Sequence, residues 1–384
     1  MIYLDNNATT FLTPAVRDCI GSLIAAPLGN PSSPHRLGGE ARTLIEKARD
    51  QVAAALGARS ECVLFVGSGS EANAMAVAAA QTHRDRDEII ISAVEHSSVG
   101  ANAALLCRRG FTVREVPVEA SGRIDLDRLA AVVSECTALV SVQSVNNETG
   151  VIQPVEEVAA ISHRAGALYH CDAAQALGKI PIAVEGRHAP DLLSVTAHKI
   201  NGPTGCGALY ARDPALLQPL VGGGDQEQGL RGGTENLIGV VGFGAAAAER
   251  MRYMIAVSDL LTTCRDTFEQ AVRAAEPQVA VNGDRRHRVG NTSNLRFPDI
   301  DGTMLIAALD DRELYCSQSS ACTTARPTPS HVLTAMGLSE AEAYASLRFS
   351  FGALNTVEEA ERAAQCVINA YRDLLDRLHR FGAA

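Results

Sequence analysis

The sequence predicts an α/β protein: a large domain on a mostly parallel mixed sheet, followed by a smaller α+β domain. Three observations carry this. Between about residues 60 and 210, short apolar runs at 62–66, 88–92, 112–116, 138–145, 167–171, 192–195 and 207–210 alternate with Ala-rich helical patterns such as 71–82 and 155–164. Strands that alternate with helices build a mainly parallel sheet covered on both faces. At 384 residues the chain exceeds what one core usually holds, so two domains are expected. From about residue 245 a long helical pattern, 245–275, replaces the alternation, and mixed strands and helices follow, which puts the domain change there.

Composition narrows the function classes. Hydrophobic residues make up 46% and charged residues 20%, the balance of an ordinary globular protein. Trp is absent and the formal net charge is −10, so the chain has little to stack on bases and repels a polyanion; nucleic acid is not an expected partner. No apolar run reaches the roughly 18 residues of a membrane span. The opening MIYLDNNATT lacks the basic-then-apolar pattern of a signal peptide. No membrane association and a cytoplasmic location are therefore expected. Ten cysteines, none in a CxxC pair, read as mostly buried thiols in a reducing compartment, with no metal site expected.

What ends each strand is informative. Run 62–66 ends in Gly67-Ser68-Gly69-Ser70, run 88–92 leads to Glu95-His96, and run 138–145 to Asn146-Asn147-Glu148. Run 167–171 ends at Asp172 with Gln175 just beyond, and run 192–195 at Thr196-Ala197-His198-Lys199. The carboxyl ends of parallel strands form one ligand-binding edge. Singly, these residues have plain readings: Asp172 as a helix cap, Lys199 as a solvated lysine, His170 and His198 as satisfied core or turn histidines. The turn 67–72 fits an anion cradle at a helix start, the G-x-G-x-x-A dinucleotide fingerprint, or a simple capped turn. A metal held by His170, Cys171 and His198 is disfavoured, because adjacent strand residues face opposite sides. Together, a rim lysine, an acid on the neighbouring strand end and a phosphate cradle are what pyridoxal 5'-phosphate requires. The amine condenses with the aldehyde, the carboxylate pairs with the ring nitrogen, and the helix N-terminus holds the phosphate. His96 is placed to stack on the ring or move protons.

The stretches YLDNNATT (3–10), GNPSSPHRLG (29–38), the glycine-rich turn (67–73), VEHSSV (94–99), VNNETGVIQP (145–154), HCDAAQALGK (170–179), TAHKINGPTGCGALY (196–210), LRGGTEN (230–236), SSACTT (319–324) and LRFSFG (347–352) occur in order along nearly the whole chain. In these the sequence resembles the class V aminotransferase family of fold-type I pyridoxal-phosphate enzymes, and more narrowly the cysteine desulfurases of the NifS/IscS type. The resemblance implies a large cofactor-binding domain over 15–250 and a small domain from 1–14 and 251–384. It implies that Lys199 is the Schiff-base lysine, Asp172 the partner of the ring nitrogen, Gln175 the partner of the ring hydroxyl and His96 the stacking residue. Ser70, Thr196 and His198 are implied as phosphate ligands, and Thr234 as a ligand of the second subunit's phosphate, hence a homodimer. Asn147 and Arg348 are implied to hold the substrate carboxylate, a task for which Arg has a planar, bidentate fork. The chain departs from the family pattern at Ser319, where Gly is common, and at Ala197, where Gly or Ser is common. The register of its turn 67–73 differs by up to one residue.

Cys322 is the candidate nucleophile, set among small polar residues with Pro327 and Pro329 downstream, the composition of a loop. An ordinary thiol is only ~3% thiolate at neutral pH, so a nearby cation or proton acceptor, with His96 as the candidate, has to raise that fraction. By the resemblance, L-cysteine becomes L-alanine and its sulfur stays on Cys322 as a persulfide. The eleven-residue spacing from Cys322 to Leu333 matches the longer-loop branch, which delivers sulfur to an acceptor such as an iron–sulfur scaffold protein. Cys316 reads as a resting thiol. Competing readings are a selenocysteine lyase or a cystine or cysteine β-lyase of the same family, a nicotinamide dehydrogenase built on the glycine turn, and a non-catalytic scaffold.

Overall fold

The computed structural model describes residues 1–83, 85–318 and 328–382. Its strands are β1 (Ile2–Tyr3), β2 (Val63–Val66), β3 (Glu88–Ser92), β4 (Thr112–Val116), β5 (Thr137–Ser141), β6 (Leu168–Asp172), β7 (Leu192–Thr196), β8 (Gly207–Ala211), β9 (Ala280–Val281), β10 (Thr292–Arg296), β11 (Leu314–Tyr315), β12 (Ser317–Gln318) and β13 (Ser346–Ser350). The helices are α1 (Pro14–Ala25), α2 (Arg36–Leu56), α3 (Gly69–Ala78), α4 (Ser97–Cys107), α5 (Leu126–Val132), α6 (Val155–Arg164), α7 (Leu237–Ala275), α8 (Gly302–Asp310), α9 (His331–Ala335), α10 (Glu340–Tyr344) and α11 (Val357–Gly382).

Seven strands form one sheet in the order β2-β8-β7-β6-β5-β3-β4. Strands β3 to β7 pair in parallel, while β8 runs antiparallel to both β7 and β2. The carboxyl ends of β2, β3, β5, β6 and β7 therefore share one edge. The expected mostly parallel mixed sheet is the one observed. A four-stranded sheet, β12-β13-β10-β9, is antiparallel throughout, and β1 pairs with β11.

Of the four apolar cores among the described residues, two underlie this arrangement. One lies on the large sheet and includes Val63, Phe65, Tyr169, Val195, Val240 and Phe243. The other gathers Leu4, Leu261, Phe268, Leu295, Phe349 and Tyr371 around the small sheet. Helix α7, 39 residues long and so about 58 Å at the α-helical rise, feeds both. Its amino-terminal half packs on the first core and its carboxyl-terminal half on the second.

Several boundaries differ from those the pattern predicts. The long helix starts at Leu237, capped by Asn236, not at 245. Its glycines are close-packing residues rather than breakers: a Cβ on Gly244 would stand 2.6 Å from the Cα of Ala48 on α2. The apolar run 138–145 is regular strand only as Thr137–Ser141. Beyond it the chain stays beside β6 through Val142 N–H to His170 O and Ser144 N–H to Asp172 O, outside the even ladder. The helix expected at 71–82 begins at Gly69 and tightens into a 3-10 turn at Ala79–Thr82.

Candidate active site

Helix α3 starts where β2 stops. Ser68 is its N-cap and accepts the Glu71 N–H on its hydroxyl, so this serine is already engaged in capping. Ser70, exposed in the first turn, has no capping task. The first N–H groups of any helix lack intrahelical partners, and here they lie beside Thr196 of β7, because a Cβ on Gly69 would come 3.5 Å from the Thr196 Cβ. The turn also presses on β8: a Cβ on Gly207 would meet the Ser68 carbonyl carbon at 2.7 Å. The result is a tight, donor-lined concavity against the strand ends. Thr196 itself donates to Cys206 O at 3.2 Å.

Asp172 ends β6 and is 7% exposed. Its Oδ1 accepts the Ala174 N–H at 2.9 Å, and its Oδ2 accepts Asn73 Nδ2 at 2.7 Å. Lys199 lies just past β7, where Asn201 takes a left-handed φ of 68° and turns the chain. Lys199 Nζ donates to Asn7 O at 2.5 Å and to Ala8 O at 2.7 Å. His198 approaches the Thr9 hydroxyl at 3.2 Å through Nδ1. Burial, reinforced by the Lys199 charge, pulls the His198 pKa down to about 4, so its imidazole is neutral at neutral pH.

Asn7 joins these residues. Its main-chain oxygen also accepts Gln175 Nε2 at 3.0 Å, which places the Lys199 amine and the Gln175 amide on one acceptor. Its side chain donates to Asn147 O and Thr292 Oγ1, and accepts from Lys179 Nζ and Asn291 Nδ2. Lys179 in turn donates to Gln175 Oε1 at 2.6 Å. Because a lysine only donates, this contact fixes which end of the Gln175 amide faces Asn7. Burial first, then the charges of Lys199, Arg250 and Arg348, push the Lys179 amine well below the ordinary lysine value.

Arg348, in β13, reaches the same place from the small sheet. It donates to Asn147 O at 3.2 Å and pairs with Asp5 at 2.6 Å. His96 caps α4 at the end of the β3 segment. Burial is the main reason its pKa is lowered, helped by the Lys199 and His331 charges against the opposing effect of Asp172. The preceding Glu95 is 4% exposed, and burial raises its carboxyl well above the usual range.

The structure thus brings together Lys199, Asp172, Gln175, His96, Thr196, His198, Asn147 and Arg348. Thr234 stands apart from the hydrogen-bonded network among the described residues; it lines a cavity of about 320 Å³ with Gly67, Arg231 and Asn236. Cys322 lies outside the described residues. Sequence reasoning missed Asp5, Asn7, Asn73 and Lys179 as site residues. Lys179 had a faint signal, its four-residue spacing from Gln175, whereas Asn7 meets partners 140 to 285 residues away that no local pattern announces.

The profile of the family described as Aminotransferase class-V matches residues 2–363. A protein named cysteine desulfurase from a Nostoc species is 39% identical over 379 residues, covering 98% of this chain and 94% of that one. The solved structure titled NIFS-LIKE PROTEIN superposes with a TM-score of 0.89 at 33% identity, covering 96% of this chain and 98% of the other. A structure described as SspA in complex with cysteine gives 0.80 at 32%, covering 91% and 99%. The α/β architecture is accordingly that of the fold-type I enzymes. Matched across nearly its whole length by both sequence and structure, the chain belongs to the class-V aminotransferase family.

Proposed function

We infer that the protein is a pyridoxal-phosphate-dependent cysteine desulfurase, converting L-cysteine to L-alanine and passing the sulfur on as a persulfide. The observation that carries this is the shared acceptor at Asn7 O, which holds the Lys199 amine beside Gln175, on the rim that also carries the buried Asp172 carboxylate.

The residues present fit the cofactor. Asp172 offers an acceptor for a ring N–H, oriented by two donors. The α3 start, narrowed by Gly207, offers N–H donors with Thr196 alongside for a phosphate. When bound, pyridoxal phosphate supplies an aldehyde that condenses with amines and a ring that accepts the electron pair left on the substrate carbon.

The chain supplies the rest. Lys199 Nζ is the amine that anchors the cofactor and, once displaced by the substrate amine, carries the proton removed from the substrate Cα. Gln175, held by Lys179, donates Nε2–H to the ring hydroxyl. Ser70, Thr196 and His198 hold the phosphate, and His96 lies on the ring face. Arg348 grips the substrate carboxylate beside Asn147, with Asp5 orienting its guanidinium. Cys322 takes the substrate sulfur: the net change is L-cysteine plus the Cys322 thiol giving L-alanine plus the Cys322 persulfide. Thr234 serves the phosphate site of a second copy, so the working form is a homodimer. The acceptor is a protein of the iron–sulfur scaffold type.

The test is the product formed from L-cysteine by the purified protein supplied with pyridoxal phosphate. Alanine from the wild type and none from Cys322→Ala is expected. Pyruvate from both would replace this reading with a β-lyase, and alanine only from selenocysteine would replace it with a selenocysteine lyase.

A further inference from the structure

A chain of hydrogen bonds runs from the candidate partner of the ring nitrogen to the residue proposed to lie on the ring. Asn73 Nδ2 donates to Asp172 Oδ2 at 2.7 Å and to Ser98 Oγ at 2.9 Å. Ser98 Oγ lies 2.7 Å from His96 Nδ1, and the Ser98 backbone N–H donates to the same Nδ1 at 3.2 Å as the N-cap contact of α4.

The proton positions can be worked out from both ends. The Asp172 carboxylate, as an acceptor, requires the NH₂ side of the Asn73 amide to face it. The second N–H of that group then occupies a lone pair of Ser98 Oγ, leaving the hydroxyl hydrogen to be given elsewhere. At the other end, the Ser98 backbone N–H already points at Nδ1. A hydrogen on Nδ1 would meet it head-on, so Nδ1 is bare and takes the Ser98 hydroxyl hydrogen as well. A neutral imidazole with a bare Nδ1 carries its proton on Nε2. The dipole of α4 opposes a second proton on a ring at its amino terminus, in the same sense as burial and the Lys199 and His331 charges, and against Asp172.

We propose that Asn73 and Ser98 are positioning residues that lock His96 as the neutral Nε2–H tautomer, so that the imidazole faces the reaction as a hydrogen-bond donor, its Nδ1 lone pair already taken up by Ser98. This rests on His96 belonging to the active site as assigned above. It departs from the expectation that His96 draws the proton from the Cys322 thiol: His96 gives a hydrogen bond from Nε2 and keeps its proton. The orphaned Oδ1 of Asn73, which has no partner among the described residues, marks a side chain placed for its NH₂ alone.

The experiment is a long-range ¹H–¹⁵N correlation spectrum of the full chain, labelled with [¹⁵N]histidine and supplied with pyridoxal phosphate. His96→Gln identifies the signals. The wild type is expected to show a pyridine-like Nδ1 and a protonated, pyrrole-like Nε2 at neutral pH. Ser98→Ala keeps the backbone N–H but removes the closer hydroxyl donor, and is expected to move both shifts part of the way toward the averaged values of mixed tautomers and to lower kcat with little change in KM; Ser98→Thr, which keeps the hydroxyl, restores both. A protonated Nδ1 in the wild type, or an unchanged Ser98→Ala spectrum, overturns the proposal. The wild-type spectrum decides even if the variant fails to fold. Alanine formation from L-cysteine, measured on the same samples, tests the desulfurase reading separately.

Discussion

Asn7 shows how much of a candidate active site rests on residues that hold the others in place. Through one side chain and one carbonyl it meets Lys199, Gln175, Asn147, Lys179, and Asn291 and Thr292 at the start of β10. Lys179 completes the set by fixing the Gln175 amide. Lys179→Met removes that donor while keeping the apolar stem, and leaves a buried amide oxygen unpaired, a loss of about 1–3 kcal/mol. The expected outcome is roughly tenfold or greater weakening of pyridoxal phosphate binding, the equivalent of 1.4 kcal/mol, measured by equilibrium dialysis. Unchanged affinity would show that Gln175 is oriented by Asn7 alone.

At the scale of elements, the close approach of α2 and α7 sets the frame on which the sheet rim is carried. Gly244→Ala would gain about 1 kcal/mol in helix propensity. It would also drive a methyl against the Ala48 Cα at 2.6 Å, and backbone cannot step aside as a flexible side chain can. Overpacking of this kind costs about 1–3 kcal/mol, so a net loss of stability is expected in denaturant unfolding; a stabilised variant would mean the two helices separate freely. The same helix shows where sequence reading stops. β3, β4 and α6 match their apolar runs end for end, because period and turn residues are local signals. The start of α7 was hidden, because Gly239, Gly242 and Gly244 carry no local helix signal and owe their place to close contacts with Cys206, Pro203 and Ala48. Likewise the rim residues Asp172, His96 and Lys199 were legible from their strand ends. Asp5 and Asn7 were not, since their roles depend on Arg348 and Gln175, which the chain brings back only after long excursions.

At the scale of the molecule, the site lies where the large sheet's rim meets the small sheet, with residues 5–8 running between them and α7 tying the two cores together. The buried interior also sets the response to acid. His170 is fully buried between Ser141 and Ser194, and burial lowers its pKa from 6.5 to about 4 despite the nearby Asp172. In the unfolded chain it takes a proton near pH 6.5; in the folded chain it does not until about pH 4. The unfolded state therefore binds more protons across that window, and stability falls as pH drops through it, by on the order of 3 kcal/mol from this one group. His170→Asn, whatever its stability at neutral pH, is expected to flatten the acid limb of unfolding free energy against pH. An unchanged slope would assign that limb to other groups. His163, whose pKa the Asp191 hydrogen bond raises, acts in the opposite sense and is left intact by the substitution.

The desulfurase account stands most directly on where the sulfur goes. Peptide mass spectrometry of the protein after brief exposure to L-cysteine, with pyridoxal phosphate present and no acceptor, reads this position among the ten cysteines. One added sulfur atom on the peptide carrying Cys322, absent when Lys199 is replaced by Ala, is the predicted result. Alanine released with no sulfur on Cys322, or sulfur carried by another cysteine, would contradict it.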